Sequence, residues 1–76
     1  MSSRLPAVRS RQLMRVLELD GWQLARSRGS HFSYRHPSKP GLVIVPNHPG
    51  DLKRPLVAGV LKTAGISREE FVRLLK

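Results

Sequence analysis

One histidine, His31, has the clearest potential for chemistry in this sequence, because it follows Gly29-Ser30, a pair typical of a turn. Imidazole titrates near neutrality, so such a side chain can both take up and release a proton at working pH. Three nearby arginines could hold a phosphate beside it: Arg26, Arg28 and Arg35. A basic surface alone would only bind nucleic acid, whereas one with a positioned histidine could cut it. The residues leave a second interpretation open, a strand-edge histidine that bonds to the turn backbone.

The other two histidines are less informative. His48 lies in a loop and could be a second proton carrier, an RNA contact or a solvated residue, whereas His36, next to Pro37, is interpreted as structural. The three histidines lack the closely spaced ligand pairs of a zinc site, and no carboxylate lies between residues 21 and 50 to join them. We therefore predict no metal site and no cofactor, and activity in the presence of EDTA.

Positive charge dominates the composition. Fourteen Lys and Arg residues stand against five Asp and Glu, a formal net charge of +9. Ten of the fourteen are arginine, whose planar guanidinium suits phosphate oxygens and stacks on bases, so a nucleic acid partner is favoured. A solvated basic surface, an acidic protein partner and an anionic membrane surface are the alternatives.

Length and residue usage bound the class of protein. Seventy-six residues predict a single domain over 1–76, with a thin core because only four residues are aromatic. The absence of cysteine excludes disulfides and thiolate metal sites and fits a reducing cytosol. No apolar run approaches the roughly 20 residues of a membrane-spanning helix, and the first residues lack the apolar core of a secretory signal. We expect a soluble, unprocessed, cytoplasmic chain that makes no membrane contact.

The elements that must position His31 begin with an irregular arm over residues 1–9 and a helix from Ser10 to about Asp20. Ser10 offers an N-cap hydroxyl, and Gly21 ends the helix. A period of two then predicts two strands joined by a turn at Arg28-Gly29. If the aromatic residues of the second strand face the core, His31, Ser33 and Arg35 lie on the opposite face. The alternative is that a bulge close to the turn re-aims His31.

A third strand and two helices complete the predicted chain. The run Leu42–Val45 predicts a well-buried strand, and a loop through His48 leads to a second helix with Pro55 in its first turn. That helix presents a stripe of apolar residues: Leu56, Val60, Leu61 and Ala64. Ser67 and Glu70 form the capping box of a short last helix, and Asp51 is also interpreted as a cap. The order α-β-β-β-α predicts an α+β fold, a three-stranded antiparallel sheet with helices on one face.

Several motifs in this order resemble the HicA family of toxins, also called YcfA-like, from Ser10 to the end of the chain. The resemblance is carried by four stretches: Asp20-Gly21-Trp22, Gly29-Ser30-His31, Val45-Pro46-Asn47-His48, and Leu56 followed by Val60-Leu61-Lys62-Thr63-Ala64-Gly65-Ile66. Two positions depart from the family pattern. Phe32 stands where many members have a second histidine, and Arg54-Pro55 replace a Gly-Thr pair ahead of Leu56.

The resemblance implies a double-stranded-RNA-binding-like fold and a toxin that cleaves messenger RNA. It also implies silencing by a HicB-type antitoxin that masks His31 in a protein complex. His31 matches the catalytic histidine of the family, and Gly29 and Ser30 match its turn. Any DNA contact is expected through the antitoxin, because this chain has no helix-turn-helix pattern.

These expectations combine into one chemical hypothesis. RNA carries its own nucleophile, so a histidine that acts on the 2′-OH proton and cationic groups around the phosphate are sufficient for cleavage. His31 is the predicted base or acid, and the substrate-binding residues are Arg26, Arg28, Gly29, Ser30, Arg35 and His48. The alternatives are a non-catalytic RNA-binding module of the same fold and an interaction subunit whose positive face docks an acidic partner.

Overall fold

A computed structural model describes residues 5–76, which form three helices and three strands. The elements in chain order are α1 (Ser10–Leu19), β1 (Gln23–Arg28), β2 (His31–Arg35), β3 (Val43–Pro46), α2 (Arg54–Ala64) and α3 (Arg68–Leu75). This order confirms the predicted α+β class, α-β-β-β-α with a short additional helix at the C-terminus. Residues 1–4 of the predicted arm lie outside the described residues.

The three strands form an antiparallel sheet in the order β1-β2-β3, so β2 is central. In the register, Tyr34 pairs with Val43 and Phe32 with Val45, and both valines are buried. The intervening residues of β2 therefore belong to the opposite face, as predicted. We call this opposite face the open face; it carries His31, Ser33 and Arg35 of β2, their β1 partners Arg28, Arg26 and Gln23, and Ile44 of β3.

The core lies between the inner face of the sheet and the helices. α1 and α2 both contact β3, and α3 contacts α1. The largest fully buried side chains come from every layer of the fold: Trp22, Tyr34, Phe71, Leu13 and Leu17. This cluster explains how so small a chain holds a sheet with one face bare, because most of its large apolar residues are buried between the other face and the helices.

The start of α1 differs from the prediction. Arg9, not Ser10, is the N-cap residue, and its backbone N–H donates to Oε1 of Gln12 at 2.8 Å. Ser10 is the first residue of the helix and is buried. Its hydroxyl bonds outside the helix, to the loop after β3, because that loop passes the helix N-terminus.

The predicted burial of β3 and α2 is partly wrong. Ile44 and Leu42 are 47% and 43% exposed, because β3 is an edge strand and the open face has no helix over it. Leu56 is also exposed, and Val57 takes its place in the core. Val57 fits the helical repeat of the other buried residues of α2, namely Val60, Leu61 and Ala64, whereas Leu56 is one position out of that stripe.

The two predicted acidic caps have other contacts. Lys53 is the N-cap residue of α2, and Asp51 instead forms an isolated β-bridge with Arg9, whose Nε lies 4.0 Å from the Asp51 carboxylate. In α3, Ser67 Oγ accepts from the Glu70 N–H at 3.1 Å, as predicted. The Glu70 carboxylate accepts from Nε and Nη2 of Arg73. A cation one helical turn away is therefore its partner.

Residues 5–9 have no helix or strand, but they are tied to the rest of the molecule. Leu5 and Val8 are buried. The Val8 carbonyl accepts from the Leu52 N–H, and the Leu5 carbonyl accepts from Nε of Arg54, both at 2.8 Å. The segment thus anchors the residues that lead into α2. No helix within residues 5–76 has the length and apolar character needed to span a membrane.

Candidate active site

His31 is the first residue of β2 and is exposed on the open face. It pairs with Arg28 across a two-residue turn made of Gly29 and Ser30. Gly29 has a φ of +59°, which fits the requirement for glycine at the first position of a tight hairpin turn. The turn therefore delivers an accessible imidazole directly beside a guanidinium-bearing residue.

A β-bulge decides which face of the sheet receives Arg26 and Arg28. Strict alternation from Leu24, whose pairing with Tyr34 places it on the inner face, would turn both arginines toward the helices. The register shifts at Ala25, so that Arg26 pairs with Ser33 and Arg28 with His31. Both arginines therefore share the open face with His31.

Arg35 is at the other end of β2. It lies four positions after His31, a distance of about 13 Å at the usual rise of an antiparallel strand. It lines a shallow hollow of about 240 Å³ together with Ala25, Arg26, Ser33 and Leu42. The structure thus brings Arg26 and Arg28 close to His31 and sets Arg35 along a track that leads away from it.

The loop after β3 is fastened on two sides beside His31. Pro46 is the β3 partner of His31, and the Asn47 N–H donates to the Ser30 carbonyl at 2.6 Å. On the other side, Ser10 Oγ donates to the Pro46 carbonyl at 2.7 Å and accepts from the His48 N–H at 2.9 Å. A serine predicted only as a helix cap therefore holds the backbone of a candidate site residue, a role that no local pattern indicated.

His48 is exposed and lines a cleft of about 210 Å³ with Pro46, Asp51, Leu52, Lys53 and Leu56. Pro46 belongs both to this cleft and to the cross-strand pair with His31. The cleft and the His31 end of the open face therefore adjoin each other.

His36 is fully engaged in the corner between α1 and β1. Its Nδ1 accepts from the N–H groups of Ser38 and Lys39 at 2.9 and 3.1 Å, so Nε2 carries the proton and donates to the Asp20 carbonyl at 2.8 Å. The ring also meets Trp22 edge-on, with centroids 5.2 Å apart. His36 is structural, as the sequence indicated.

Lys39 completes this corner. Its ammonium donates to the Asp20 carboxylate at 2.6 Å and to the Ala64 carbonyl at the end of α2 at 3.1 Å. The Trp22 indole N–H donates to the same carboxylate at 3.2 Å. Asp20 therefore links the end of α1 to Trp22 and, through Lys39, to the end of α2.

Within the part of the chain that the structure describes, neither Tyr34 nor a metal centre adds to the candidate site. Burial raises the pKa of Tyr34 above its ordinary 10.0, and the charge of Glu18 adds to that effect. Its phenol therefore stays protonated at neutral pH. Among residues 5–76, no three His, Cys, Asp or Glu side chains come close enough together to hold a metal ion.

The candidate site therefore contains the exposed imidazole of His31 with Arg26 and Arg28 beside it. A second exposed histidine, His48, lies in the cleft that Pro46 also lines, and Arg35 lies farther along the sheet. A family model described as the HicA toxin of bacterial toxin-antitoxin matches residues 10–66. The match includes all of the candidate site, and only α3 and the N-terminal segment lie outside it. No curated protein matches the chain.

Proposed function

The chain belongs to the HicA family of bacterial toxin-antitoxin toxins, and from this we propose that it is an endoribonuclease that cleaves messenger RNA. The observation that carries the proposal is the pair formed by His31 and Arg28 on the bare face of the sheet. A proton carrier and a phosphate ligand are the two groups that RNA cleavage requires from a protein, since the nucleophile is the substrate's own 2′-OH.

His31 is the proposed proton carrier. Exposed at the start of β2, it can reach a ribose laid on the open face. Transfer of the 2′-OH proton lets that oxygen attack the adjacent phosphorus, and the bond to the 5′-oxygen breaks. The products are a 2′,3′-cyclic phosphate, which can open to a 3′-phosphate, and a 5′-OH. This route uses no metal ion.

Arg26 and Arg28 are the proposed phosphate ligands at the cleaved bond, with the Gly29-Ser30 turn beside them. Their guanidinium groups would stabilise the negative charge that develops on the phosphoryl oxygens. Arg35 is too far along β2 to act on the same phosphate, so we assign it to a neighbouring nucleotide. Messenger RNA as substrate places the proposed activity in the cytoplasm.

An antitoxin of the HicB type is the proposed partner, bound so that it masks His31. The net charge of +9 favours an acidic protein over a second copy of this chain. Exposed apolar residues next to β3 add a surface that a partner would cover: Leu42, Ile44 and Leu56. Contact with DNA, if the pair binds an operator, is assigned to the antitoxin.

The purified protein tests the proposal directly. We expect it to cleave messenger RNA transcripts in EDTA and to leave cyclic or 3′-phosphate and 5′-OH ends, and we expect His31→Ala to abolish cleavage while keeping the fold. Expression should arrest growth for the parent and not for the variant. RNA binding without cleavage would instead identify a non-catalytic RNA-binding module, and undiminished cleavage by a folded His31→Ala variant would refute the assignment.

A further inference from the structure

We propose that His48 is a second proton carrier, which completes an acid–base pair with His31, and that the buried hydroxyl of Ser10 positions it. The inference rests on the ribonuclease activity proposed above and deepens it. Cleavage by 2′-OH attack moves two protons, one from the nucleophile and one to the leaving group, so a single imidazole leaves half of the proton transfer to water.

Most other titratable side chains near the sheet are bonded or buried. Both nitrogens of His36 are bonded in the corner with Asp20, and the phenol of Tyr34 is buried. Asp51 forms a bridge and an ion pair with Arg9. His48 is exposed, and its backbone, rather than its ring, makes the bonds that hold it.

The backbones of His48 and His31 are close enough for both side chains to reach one phosphate. Pro46 lies directly across from His31, and His48 is two residues farther, at most about 7 Å along the backbone. An imidazole extends several ångströms from its Cα, so the two rings can flank a phosphate that lies over Pro46. Pro46 is also the residue that the His48 cleft shares with the His31 strand pair.

Ser10 supplies the rigidity that such a pair requires. It is buried, with 3% of its surface exposed, although its side chain is small and polar. Its hydroxyl donates a hydrogen bond to the Pro46 carbonyl and accepts one from the His48 N–H. With the bond from Asn47 to the Ser30 carbonyl, the loop is held to α1 and to the His31 turn at the same time.

The proton transfers balance between the two rings. One imidazole, neutral at the outset, takes the 2′-OH proton as the 2′-oxygen forms its bond to phosphorus. The other, protonated at the outset, gives its proton to the 5′-oxygen as the bond from phosphorus to that oxygen breaks. The products are the cyclic phosphate and a 5′-OH, and exchange with water restores both rings.

Charged residues lie close to both histidines. Arg28 pairs with His31, whereas Asp51 and Lys53 line the cleft with His48, and Arg9 holds the carboxylate of Asp51. A pH profile alone could therefore include these neighbours, and the decisive test changes the substrate instead.

The test uses a short RNA oligonucleotide that contains a site the parent protein cuts, and the same oligonucleotide with sulfur in place of the bridging 5′-oxygen. A thiolate leaves without a proton, so this substrate does not need a general acid. Parent, His31→Ala, His48→Ala and a control, Lys62→Ala on the exposed surface of α2, are compared on both substrates, and the fold of each is checked by circular dichroism.

We expect His48→Ala to lose about 100-fold or more in single-turnover rate on the ordinary RNA, the usual size of a general acid or base contribution. Exactly one of the two histidine variants should recover to within about fivefold of the parent on the sulfur substrate, which identifies the acid. The parent profile against pH should be bell-shaped, and each variant should lose one limb. Lys62→Ala should match the parent.

The failures are distinguishable. If the parent cuts nothing, the proposed ribonuclease function itself is wrong. If His31→Ala is inactive while His48→Ala matches the parent, or if His48→Ala is slowed equally on both substrates with both limbs of the profile intact, that function stands and the acid–base pair is overturned.

Ser10→Ala tests the positioning role. It should lower kcat on the ordinary RNA about tenfold with KM little changed, and the sulfur substrate should remove the loss only if His48 is the acid. Ser10→Cys, which retains a weak donor and acceptor of similar size, should recover part of the rate. A loss confined to thermal stability, with kcat unchanged, would contradict the role of Ser10.

Discussion

Two histidines on or next to the same strand have opposite environments, and the difference lies in what each ring contacts. Both ring nitrogens of His36 form hydrogen bonds to backbone groups, and the ring packs against Trp22. His31, five positions earlier, is exposed beside a turn. A side chain whose bonds are all used maintains the fold, whereas one that is free can exchange protons with a substrate.

A substitution at Gly21 tests whether the contacts of His36 stabilise the fold. It has a φ of +101°, and an added Cβ would lie 2.8 Å from His36 Nε2. We expect Gly21→Ala to lower the free energy of unfolding by about 1–3 kcal/mol, because the residue is strained and the ring must move. Gly59→Ala is the matched control, since that glycine is helical with open space around it; it should stabilise by about 0.5–1 kcal/mol. Urea denaturation measures both, and equal effects would contradict the expectation.

The buried phenol of Tyr34 predicts how the free energy of unfolding changes at alkaline pH. Burial raises the pKa of its phenol above 10.0, so above that pH the unfolded chain releases a proton that the folded chain retains. The folded state then binds more protons, and the free energy of unfolding falls as pH rises. Tyr34→Phe should lessen this fall above about pH 10. Urea denaturation across that range, parent against variant, gives the difference, and parallel curves would exclude the effect.

At the scale of the elements, the bulge in β1 and the turn that follows it build the candidate site. Ala25 adds one residue to β1, which moves Arg26 and Arg28 to the open face, and the turn sets His31 opposite Arg28. The helices of the fold leave this face uncovered. The β1–β2 hairpin thus presents two arginines and an imidazole on the face of the sheet that does not contribute to the core.

The pairing of Arg28 with His31 predicts a role for this arginine in RNA cleavage. Arg28→Ala should lower kcat/KM for RNA about 10- to 100-fold, the size of one lost hydrogen bond to a charged group of about 1.5–3 kcal/mol. Arg15→Ala, on the exposed surface of α1, removes the same charge away from the site and is the control. Comparable losses in both variants would mean that only the overall charge matters.

For the whole molecule, the excess of positive charge determines how binding responds to salt. Three arginines on the open face predict a slope of log affinity against log salt of about −2, at about −0.7 for each phosphate contact on a single strand. Arg35→Ala should make the slope shallower by about 0.7. Fluorescence anisotropy with a 2′-O-methyl RNA, which cannot be cleaved, measures both, and an affinity independent of salt would rule out phosphate contacts.

Most of the architecture followed from local pattern. The helix of Leu13, Val16 and Leu17 and the alternation of Phe32 and Tyr34 are read from neighbours in the chain, because periods of 3.6 and 2 place residues on one face of an element. The exposure of Ile44 and Leu56 was missed, because burial depends on which elements lie opposite, and that is not a local property.

By itself, the sequence determined the order of elements, the excess of positive charge, the family, and the turn that presents His31, since each depends on residue type and spacing. Only the tertiary structure decided that Arg26 and Arg28 share the face of His31 and that Ser10 holds the loop of His48. The first depends on a one-residue shift in strand register, and the second on a contact between residues 38 positions apart. Neither can be read from a period within one element, because both are properties of how separate segments meet.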